Sequence, residues 1–284
     1  MALRIFTNIA SLNSQRTLGN NNSMLGQSIE RIASGIRIRS AADDASGLSM
    51  SETITSDIQA LRQGSKNMND SVALIKTSEG ALGEISTMLI RLRELASQAA
   101  TGTIGDTERG SVQLEFTALS REIDRISSTT EFNGQKLIDG SMASTALNHV
   151  VIQTGSKTTS NDRIDLNNEV NLTSVTTTSL GISGSSITTQ SKALSAMDSL
   201  AQAIQSLVQI RGRLGAALNR IARSIGTQDA TVENLTSAVS SIKEADMAEE
   251  MAGLTRNQIL VQSASAMVGQ ANLIPQSVLR LLQQ

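Results

Sequence analysis

The side chains that carry most enzyme chemistry are sparse in this sequence. It has one histidine, His149, and no cysteine, so thiol catalysis and the usual ligands of a zinc site are missing. Asp43 and Asp44 are adjacent carboxylates, but neighbours in sequence diverge on a helix, and the context SAADDAS is typical of a helix cap. No HExxH, GxxxxGK[ST] or GxGxxG motif occurs. We therefore predict no enzyme and no catalytic, metal or cofactor site, and interpret His149 as a surface or hairpin residue.

The composition argues against several binding functions. The 284 residues carry a formal net charge of −2, and only 1% of them are aromatic. This composition argues against nucleic-acid binding, because the chain has neither a net positive charge nor a supply of aromatic side chains for stacking on bases. No run of 18 apolar residues occurs, and the N-terminus lacks the pattern of a secretory signal peptide. We expect neither nucleic-acid binding nor membrane insertion.

Apolar residues at heptad spacing predict long helices that need partner helices. Steps of four and three residues keep side chains on one helix face, and the single proline leaves room for long helices. One stripe runs from Leu200 to Ile242 through two polar positions, Arg211 and Gln228. Near the N-terminus the helical period includes Ile5, Ile9 and Leu12. Near the C-terminus the stripe consists of Leu260, Ala264, Met267, Ala271, Ile274, Val278 and Leu281.

Interruptions of this periodicity divide the chain. The triplet 20–22 consists of asparagine and predicts a local weak point in the first helix, and residues 35–47 predict a bend. A glycine-punctuated turn is expected at 101–110, and a second joint at 243–250. Residues 141–190 are rich in Ser and Thr, and their two alternating stretches, 149–154 and 163–167, predict a β-hairpin.

The predicted fold is mainly α: a long antiparallel helical coiled-coil bundle formed by the N- and C-terminal halves, with a small β-hairpin insert. We expect terminal helices at 1–40 and 250–284, a bundle at 41–140 and 191–249, and the insert at 141–190. Because the chain runs out and returns, its two ends can pair. Residues 257–279 contain no charged side chain, which predicts burial on more than one face.

Several segments resemble bacterial flagellins, over about residues 1–140 and 190–284. The matching segments are SIERIASGIRIRSAADDASGLSMSE, RLRELASQAATGT, EIDRISSTTEFNGQKLIDGS, RGRLGAALNRI and LVQSASAMVGQANLIPQSVLRLLQQ. The short middle is similar to that of flagellins without the large outer domains. Ser241 and Glu244 depart from the family pattern, which usually has Arg and Asp at these positions.

The resemblance implies a structural subunit that self-assembles into the helical flagellar filament for swimming motility. The alternative is a hook–filament junction protein. In this family the terminal helices line the filament channel, so the seam for assembly would comprise Ile5, Ile9, Leu12 and the C-terminal stripe from Leu260 to Leu281. Implied partners are further copies of the chain, an export chaperone, the filament cap and hook-junction proteins. Export through the flagellar type III apparatus would place the protein outside the cell, or in a periplasmic flagellum.

The resemblance also identifies four residues for immune recognition. Arg91, Leu95, Gln98 and Glu115 match positions that vertebrate flagellin-sensing Toll-like receptors contact in recognised flagellins. The alternative is that these residues serve subunit packing only, and Leu95 suits packing within the bundle.

Overall fold

The computed structural model describes the backbone of residues 8–282 and the side chains of residues 8–273. Six helices lie in this part of the chain: α1 (Ile9–Ser34), α2 (Ala45–Ala100), α3 (Asp106–Thr129), α4 (Leu166–Val170), α5 (Gln190–Lys243) and α6 (Met247–Leu282). Two antiparallel hairpins lie between α3 and α5: β1 (Glu131–Phe132) with β2 (Gln135–Lys136), and β3 (Val151–Gln153) with β4 (Arg163–Asp165). The prediction of a mainly helical fold with a small hairpin insert is confirmed.

The chain divides into two compact units. The terminal unit combines Met1–Ser56 with Leu235–Gln284, and the central unit consists of Asp57–Asn234. The finer division into an inner terminal domain, a bundle and an insert stays a prediction.

The core of the central unit is built from α2, α3 and α5. On α5 two rows of buried residues repeat every seven positions: Ala193, Leu200, Leu207, Leu214, Ile221 and Gln228 in one, and Ala196, Ala203, Ile210 and Ala217 in the other. Alternate members of the stripe predicted from Leu200 therefore lie in the core, while Ile204, Leu218 and Ile225 pack at its margin. Two buried rows mean that α5 is covered over a wider face than one partner helix would cover.

The Ser/Thr-rich segment contributes to the same core. Its buried apolar side chains are Met142, Ile152, Ile164, Leu166, Val170, Leu172, Val175, Leu180, Ile182 and Ile187. Two polar side chains of α3 hold its loops. The carboxylate of Asp124 accepts hydrogen bonds from the N–H (2.7 Å) and the hydroxyl (2.8 Å) of Thr177. Gln113 Oε1 accepts one from the N–H of Ile187 (2.6 Å). The segment therefore folds as part of the bundle.

A buried asparagine closes the loop between residues 144 and 149. Asn167 is fully buried; its Oδ1 accepts a hydrogen bond from the N–H of Val150 (2.9 Å), and its Nδ2 donates to the carbonyl of Ala143 (3.1 Å). The two ends of the loop are thus tied to one side chain, while Leu147 within it is fully exposed.

One local expectation is wrong, and another stays a prediction. The helix α1 continues through the triplet 20–22, where Asn21 is buried and finds a hydrogen-bond partner on α6, and the expected local weakening there stays a prediction. The turn expected at 101–110 is shorter, since α3 already begins at Asp106. Arg109 on that first turn donates from Nε to the carbonyl of Ala99 (2.8 Å) and so satisfies the end of α2.

The β1–β2 hairpin has no counterpart among the sequence predictions. Its turn residues, Asn133 and Gly134, have positive φ angles of 51° and 78°. An Asn-Gly pair is the commonest signal for a two-residue hairpin turn, because both residues tolerate such angles. The signal was present in the sequence between two short, weakly alternating stretches.

The second hairpin packs closely on α2 and α5. A Cβ atom at Gly64 of α2 would lie 2.0 Å from the carbonyl oxygen of Thr154, the residue that follows β3. The same carbonyl accepts a hydrogen bond from Gln228 Nε2 (2.9 Å), which also donates to the carbonyl of Leu61. This polar position in the apolar row of α5 therefore joins the hairpin to both helices.

We expect Gly64→Ala to destabilise the central unit by about 1–3 kcal/mol, because the added methyl group overlaps a backbone atom. The matched control is Gly80→Ala, also within α2, where an added Cβ would meet nothing within 4 Å. That change should be neutral or stabilising by about 0.5–1 kcal/mol, since alanine favours a helix interior. Urea unfolding of both variants measures the difference. Equal effects would contradict the close approach at Gly64.

The only histidine of the chain lies at the base of the second hairpin. The distance from His149 Nδ1 to Asp165 Oδ2 is 2.6 Å, and both side chains are partly exposed. The hydrogen bond to Asp165 raises the pKa of His149, with a smaller opposing effect from desolvation. Asp165 also accepts a hydrogen bond from the N–H of Asn168 and thereby caps α4. The surface or hairpin assignment of His149 agrees with this position.

This contact predicts a pH-dependent stability of the central unit. Because the folded state raises the pKa of His149, the stabilisation is fully present below the ordinary pKa of 6.5 and is lost as pH rises through the folded value. Melting temperatures of the parent and of His149→Gln should therefore differ more at about pH 6 than at about pH 8.5. The single histidine resonance in an NMR titration gives the folded pKa directly. A midpoint at or below 6.5 would contradict the raised pKa.

Candidate assembly surface

The two polar joints that precede α2 and α6 meet through backbone hydrogen bonds. Ile36 and Glu244 form an antiparallel bridge, and the N–H of Ala245 donates to the carbonyl of Gly35 (3.0 Å). Gly35 ends α1 with a φ of 68°, a left-handed conformation that glycine adopts without strain. The joint holds the end of α1 beside the start of α6. Glu244, one of the departures from the flagellin pattern, contributes through its backbone.

The adjacent carboxylates of this joint are structural. Asp43 accepts hydrogen bonds from the N–H groups of Ser40 (3.0 Å) and Arg39 (3.2 Å), and these bonds lower the pKa of Asp43. Asp44 precedes α2 and accepts one from the N–H of Gly47 (2.9 Å) in its first turn. Both side chains therefore act on backbone donors, as the capping interpretation of the sequence expects.

The terminal helices pack antiparallel along a seam lined by small and polar residues. On α1 the covered positions follow steps of three and four: Ser11, Ser14, Leu18, Asn21, Leu25, Ser28 and Ile32. On α6 they are Leu254, Asn257, Val261, Ala264, Val268 and Ala271. The most deeply buried members are serine, asparagine and alanine. Soluble coiled coils place large apolar residues at such positions, so this intramolecular seam has an unusual composition.

Amide side chains cross the seam in both directions. Asn21 Nδ2 donates to the carbonyl of Leu260 (3.3 Å). From the opposite helix, Asn257 Nδ2 donates to the hydroxyl of Ser28 (3.0 Å) and to the carbonyl of Met24 (3.4 Å). Buried amides must find such partners, because an unpaired polar group in a covered seam costs about 1–3 kcal/mol. The contacts explain how asparagine is accommodated within long helices.

The predicted assembly seam separates into buried and exposed members. Ala264 and Ala271 are buried against α1. The exposed members show between 41% and 60% of their surface: Ile9, Leu12, Leu260 and Met267. Ile5 lies outside the described residues, as do the side chains of Ile274, Val278 and Leu281. Sequence reasoning missed the stripe that faces α1, because Asn257, Val261 and Val268 form a less continuous apolar pattern.

Two overlapping stripes therefore run along α6. The inner stripe, Asn257, Val261, Ala264, Val268 and Ala271, faces α1. The outer stripe, Leu260, Ala264, Met267 and Ala271, shares the two alanines but is otherwise exposed. Further exposed large apolar residues of the terminal unit are Met24, Ile29, Met50, Met247, Met251, Ile259 and Leu273. Exposed large apolar side chains in this number make the surface a candidate interaction site.

The residues matched to immune-receptor contacts lie on α2 and α3. Arg91 donates to Glu115 from Nε (3.0 Å) and Nη2 (2.8 Å), and to Glu94 from Nη1 (3.1 Å). The hydrogen bond with Glu115 raises the pKa of Arg91. Gln98 is exposed, whereas Leu95 is 2% exposed and packs in the core. The structure brings Arg91 and Glu115 together and gives Leu95 the packing role.

Over the residues that the structure describes, we also looked for a metal site and for a helix that could span a membrane. There, no cluster of three or more His, Cys, Asp or Glu side chains could hold a metal ion. None of the helices over the same residues is long and apolar enough to cross a membrane.

Comparison with known proteins agrees with this architecture of paired helical ends. The model of the bacterial flagellin N-terminal helical region matches residues 5–143, and that of the C-terminal helical region matches residues 197–282. These matches define a protein with both conserved helical regions of flagellins, one at each end.

Relatives cover nearly the whole chain. A flagellin of Halalkalibacterium halodurans is 38% identical over 97% of this chain and 98% of its own length. The flagellar filament 30.7 kDa core protein of Treponema maltophilum is 38% identical over the same shares of the two chains. The chain belongs to the bacterial flagellin family.

The solved structure of a putative flagellar hook-associated protein from Vibrio parahaemolyticus has a TM-score of 0.57 and 14% identity, covering 71% of this chain and 100% of that one. At that identity it shows a shared fold alone.

Proposed function

We propose that the outer stripe of α6 and the exposed apolar residues of α1 bind neighbouring copies of this chain in the filament. As a member of the flagellin family, the protein is a structural subunit of the bacterial flagellar filament and forms a polymer of itself. The observation that carries the proposal is the arrangement of the terminal helices. The most deeply covered residues of their seam are serine, asparagine and alanine, while large apolar side chains such as Leu260 and Met267 face outward.

Energetics favour coverage of this outward surface. Burying a Leu, Ile or Met side chain contributes roughly 1.5–3 kcal/mol relative to leaving it exposed. A single exposed apolar residue is ordinary, but Leu260 and Met267 lie on one stripe with buried alanines between them. A helix from another copy that covered Leu260 and Met267 would therefore add a favourable contribution to association.

The charge pattern agrees with a dry interface. Residues 257–279 contain no Asp, Glu, Lys or Arg, so covering this surface desolvates no charge. The amide of Asn257, the polar side chain of the inner stripe, already donates to the hydroxyl of Ser28 within the chain. Coverage of Leu260 and Met267 by a neighbouring subunit would remove water from apolar groups, which is the favourable part of association.

The alternative of a hook–filament junction protein is not favoured, because curated flagellins align with this chain from end to end. We propose an export chaperone, the filament cap and hook-junction proteins as further partners, on the strength of the family resemblance. We propose no catalytic role, since membership of a structural family supports none.

Immune recognition stays a prediction. The resemblance supports it, and the exposure of Arg91, Gln98 and Glu115 leaves these three side chains accessible on the central unit. A receptor would have to compete with the hydrogen bonds that Arg91 makes to Glu115. The alternative, that the residues only serve packing between subunits, stays open.

The substitution Met267→Lys tests the outer stripe. In the single chain Met267 is 60% exposed, so melting of the unassembled protein should barely change. In the polymer an unpaired ammonium would be buried at each subunit contact, with Arg256 and Arg280 as the flanking charges along α6. A net penalty of about 3 kcal/mol raises the critical concentration for assembly roughly a hundredfold. Sedimentation of polymer over a concentration series measures it.

The matched control is Met267→Leu, which keeps an apolar side chain of similar volume and should assemble nearly as well as the parent. Electron microscopy of the sedimented material checks that it consists of filaments. If the lysine variant sediments at the same critical concentration as the leucine variant, position 267 faces water in the polymer and the outer stripe is not an assembly contact.

A further inference from the structure

One carbonyl within α6 lacks its helical donor. In an α-helix the carbonyl of each residue accepts a hydrogen bond from the N–H four positions later. Pro275 lies inside α6, which continues to Leu282, and proline has no backbone N–H. The carbonyl that it leaves free is that of Ala271. This residue is 5% exposed and faces α1, so water does not readily replace the missing donor.

Asn8 supplies that donor from the other end of the chain. Its Nδ2 donates to the carbonyl of Ala271 at 2.8 Å. Its Oδ1 accepts from the N–H of Ser11 (3.1 Å), so the same side chain is the N-cap of α1. The carboxamide thus pairs the first turn of α1 with the one interior acceptor that Pro275 sets free.

The distances distinguish this contact from the other amides of the seam. Asn21 and Asn257 also donate to backbone carbonyls, at 3.3 Å and 3.4 Å, but those carbonyls keep their helical N–H donors. The contact of Asn8 is shorter by about half an ångström, as expected for an acceptor with no competing donor. Beside it, the hydroxyl of Ser11 donates to Asn272 Oδ1 at 2.7 Å.

The apolar residues of the seam do not fix its register by themselves. Leu18 and Leu25 on α1 are seven residues apart, and so are Val261 and Val268 on α6. A slip of seven residues would therefore bring apolar residues against apolar residues again. The same slip would move Asn8 from Ala271 to a carbonyl that the helix already satisfies. The joint at Gly35 lies at the other end of the seam, 27 residues from Asn8, or about 40 Å along α1, and a slip of the whole pair would have to break its backbone hydrogen bonds.

We propose that Asn8 and Pro275 together set the register of the α1–α6 pair at its open end. The pair of residues selects one alignment because a free carbonyl occurs at one position along the seam. The inference rests on the proposed function in one respect: the register determines which apolar residues of α6 are presented to neighbouring copies. Asn8 is a positioning residue in this account.

The first test is a double-mutant cycle on the full-length chain, with the critical concentration for assembly as the readout. Asn8→Ser keeps a good N-cap but removes the amide donor, and Pro275→Ala restores the N–H that satisfies Ala271. In the parent, Asn8→Ser should raise the critical concentration roughly tenfold, because a buried acceptor loses its partner. In the Pro275→Ala background, Asn8→Ser should raise the critical concentration less than about twofold. The control, Asn20→Ser, changes an exposed asparagine of α1 and should have no effect.

The second test reads the register directly, since the chain has no cysteine of its own. The pair Ser11→Cys with Asn272→Cys reports the observed alignment, and Ser11→Cys with Ser265→Cys reports a slip of seven residues. These chains are mixed at about one part in twenty with parent chains and equilibrated in a thiol–disulfide buffer. Asn8→Ser should lower the ratio of observed to slipped disulfide at least about threefold, and Asn20→Ser should leave the ratio unchanged.

The outcomes separate the two proposals. If the parent forms no sedimentable polymer, the proposed function is wrong, and the disulfide ratio of the soluble chain still decides the register. If Asn8→Ser raises the critical concentration equally in the parent and in the Pro275→Ala background, Asn8 acts only as the N-cap of α1. That result would overturn the inference. An unchanged disulfide ratio, or exclusion of Asn8→Ser chains from polymer in both backgrounds, would overturn it as well.

Discussion

Each long helix of this chain carries an apolar surface wider than one neighbouring helix can cover, and the two units meet this constraint differently. In the central unit α2, α3, α5 and the Ser/Thr-rich segment cover one another, and buried rows such as Leu200 to Ile221 result. In the terminal unit the most deeply buried residues between α1 and α6 are serine, asparagine and alanine. The central unit therefore has an extensive apolar core, whereas the terminal unit buries little apolar surface within the chain.

In the terminal helices, polar contacts and apolar contacts affect alignment and stability differently. Buried amides such as Asn21 and Asn257 contribute little net stability, but they penalise alignments in which they lose their partners. In the proposed subunit contacts, burial of the outward apolar side chains would add stability on association. The alignment of the two helices would then be chosen within the chain, and this further stability would be gained between chains. A helix pair of this composition is poorly suited to stand alone in water.

Much of the fold follows from the sequence, because heptad spacing over about forty residues specifies a helix strongly. The predicted stripe from Leu200 to Ile242 lies entirely within α5, and the second hairpin lies where alternation predicts it. The candidate assembly surface on α1 and α6 was only partly predictable from the sequence. The sequence contains two overlapping stripes on α6 that share Ala264 and Ala271, and spacing alone does not decide which one faces α1. The role of Asn8 depends on Pro275, 267 positions away, and no local pattern reveals such a pairing.

The loop that Asn167 closes can be lengthened at a small cost in stability. The loop leaves the bundle at Ala143 and rejoins it at Val150, which are tied to one buried side chain. His149 contacts Asp165, so the exposed residues around Leu147 are the part of the loop on which the bundle depends least. Doubling the length of a flexible loop adds only about 0.6 kcal/mol of closure entropy. Extra residues can therefore be accommodated around Leu147 at a small cost in stability. The sequence of this exposed stretch is under weaker structural constraint than the sequences of the helices that form the core.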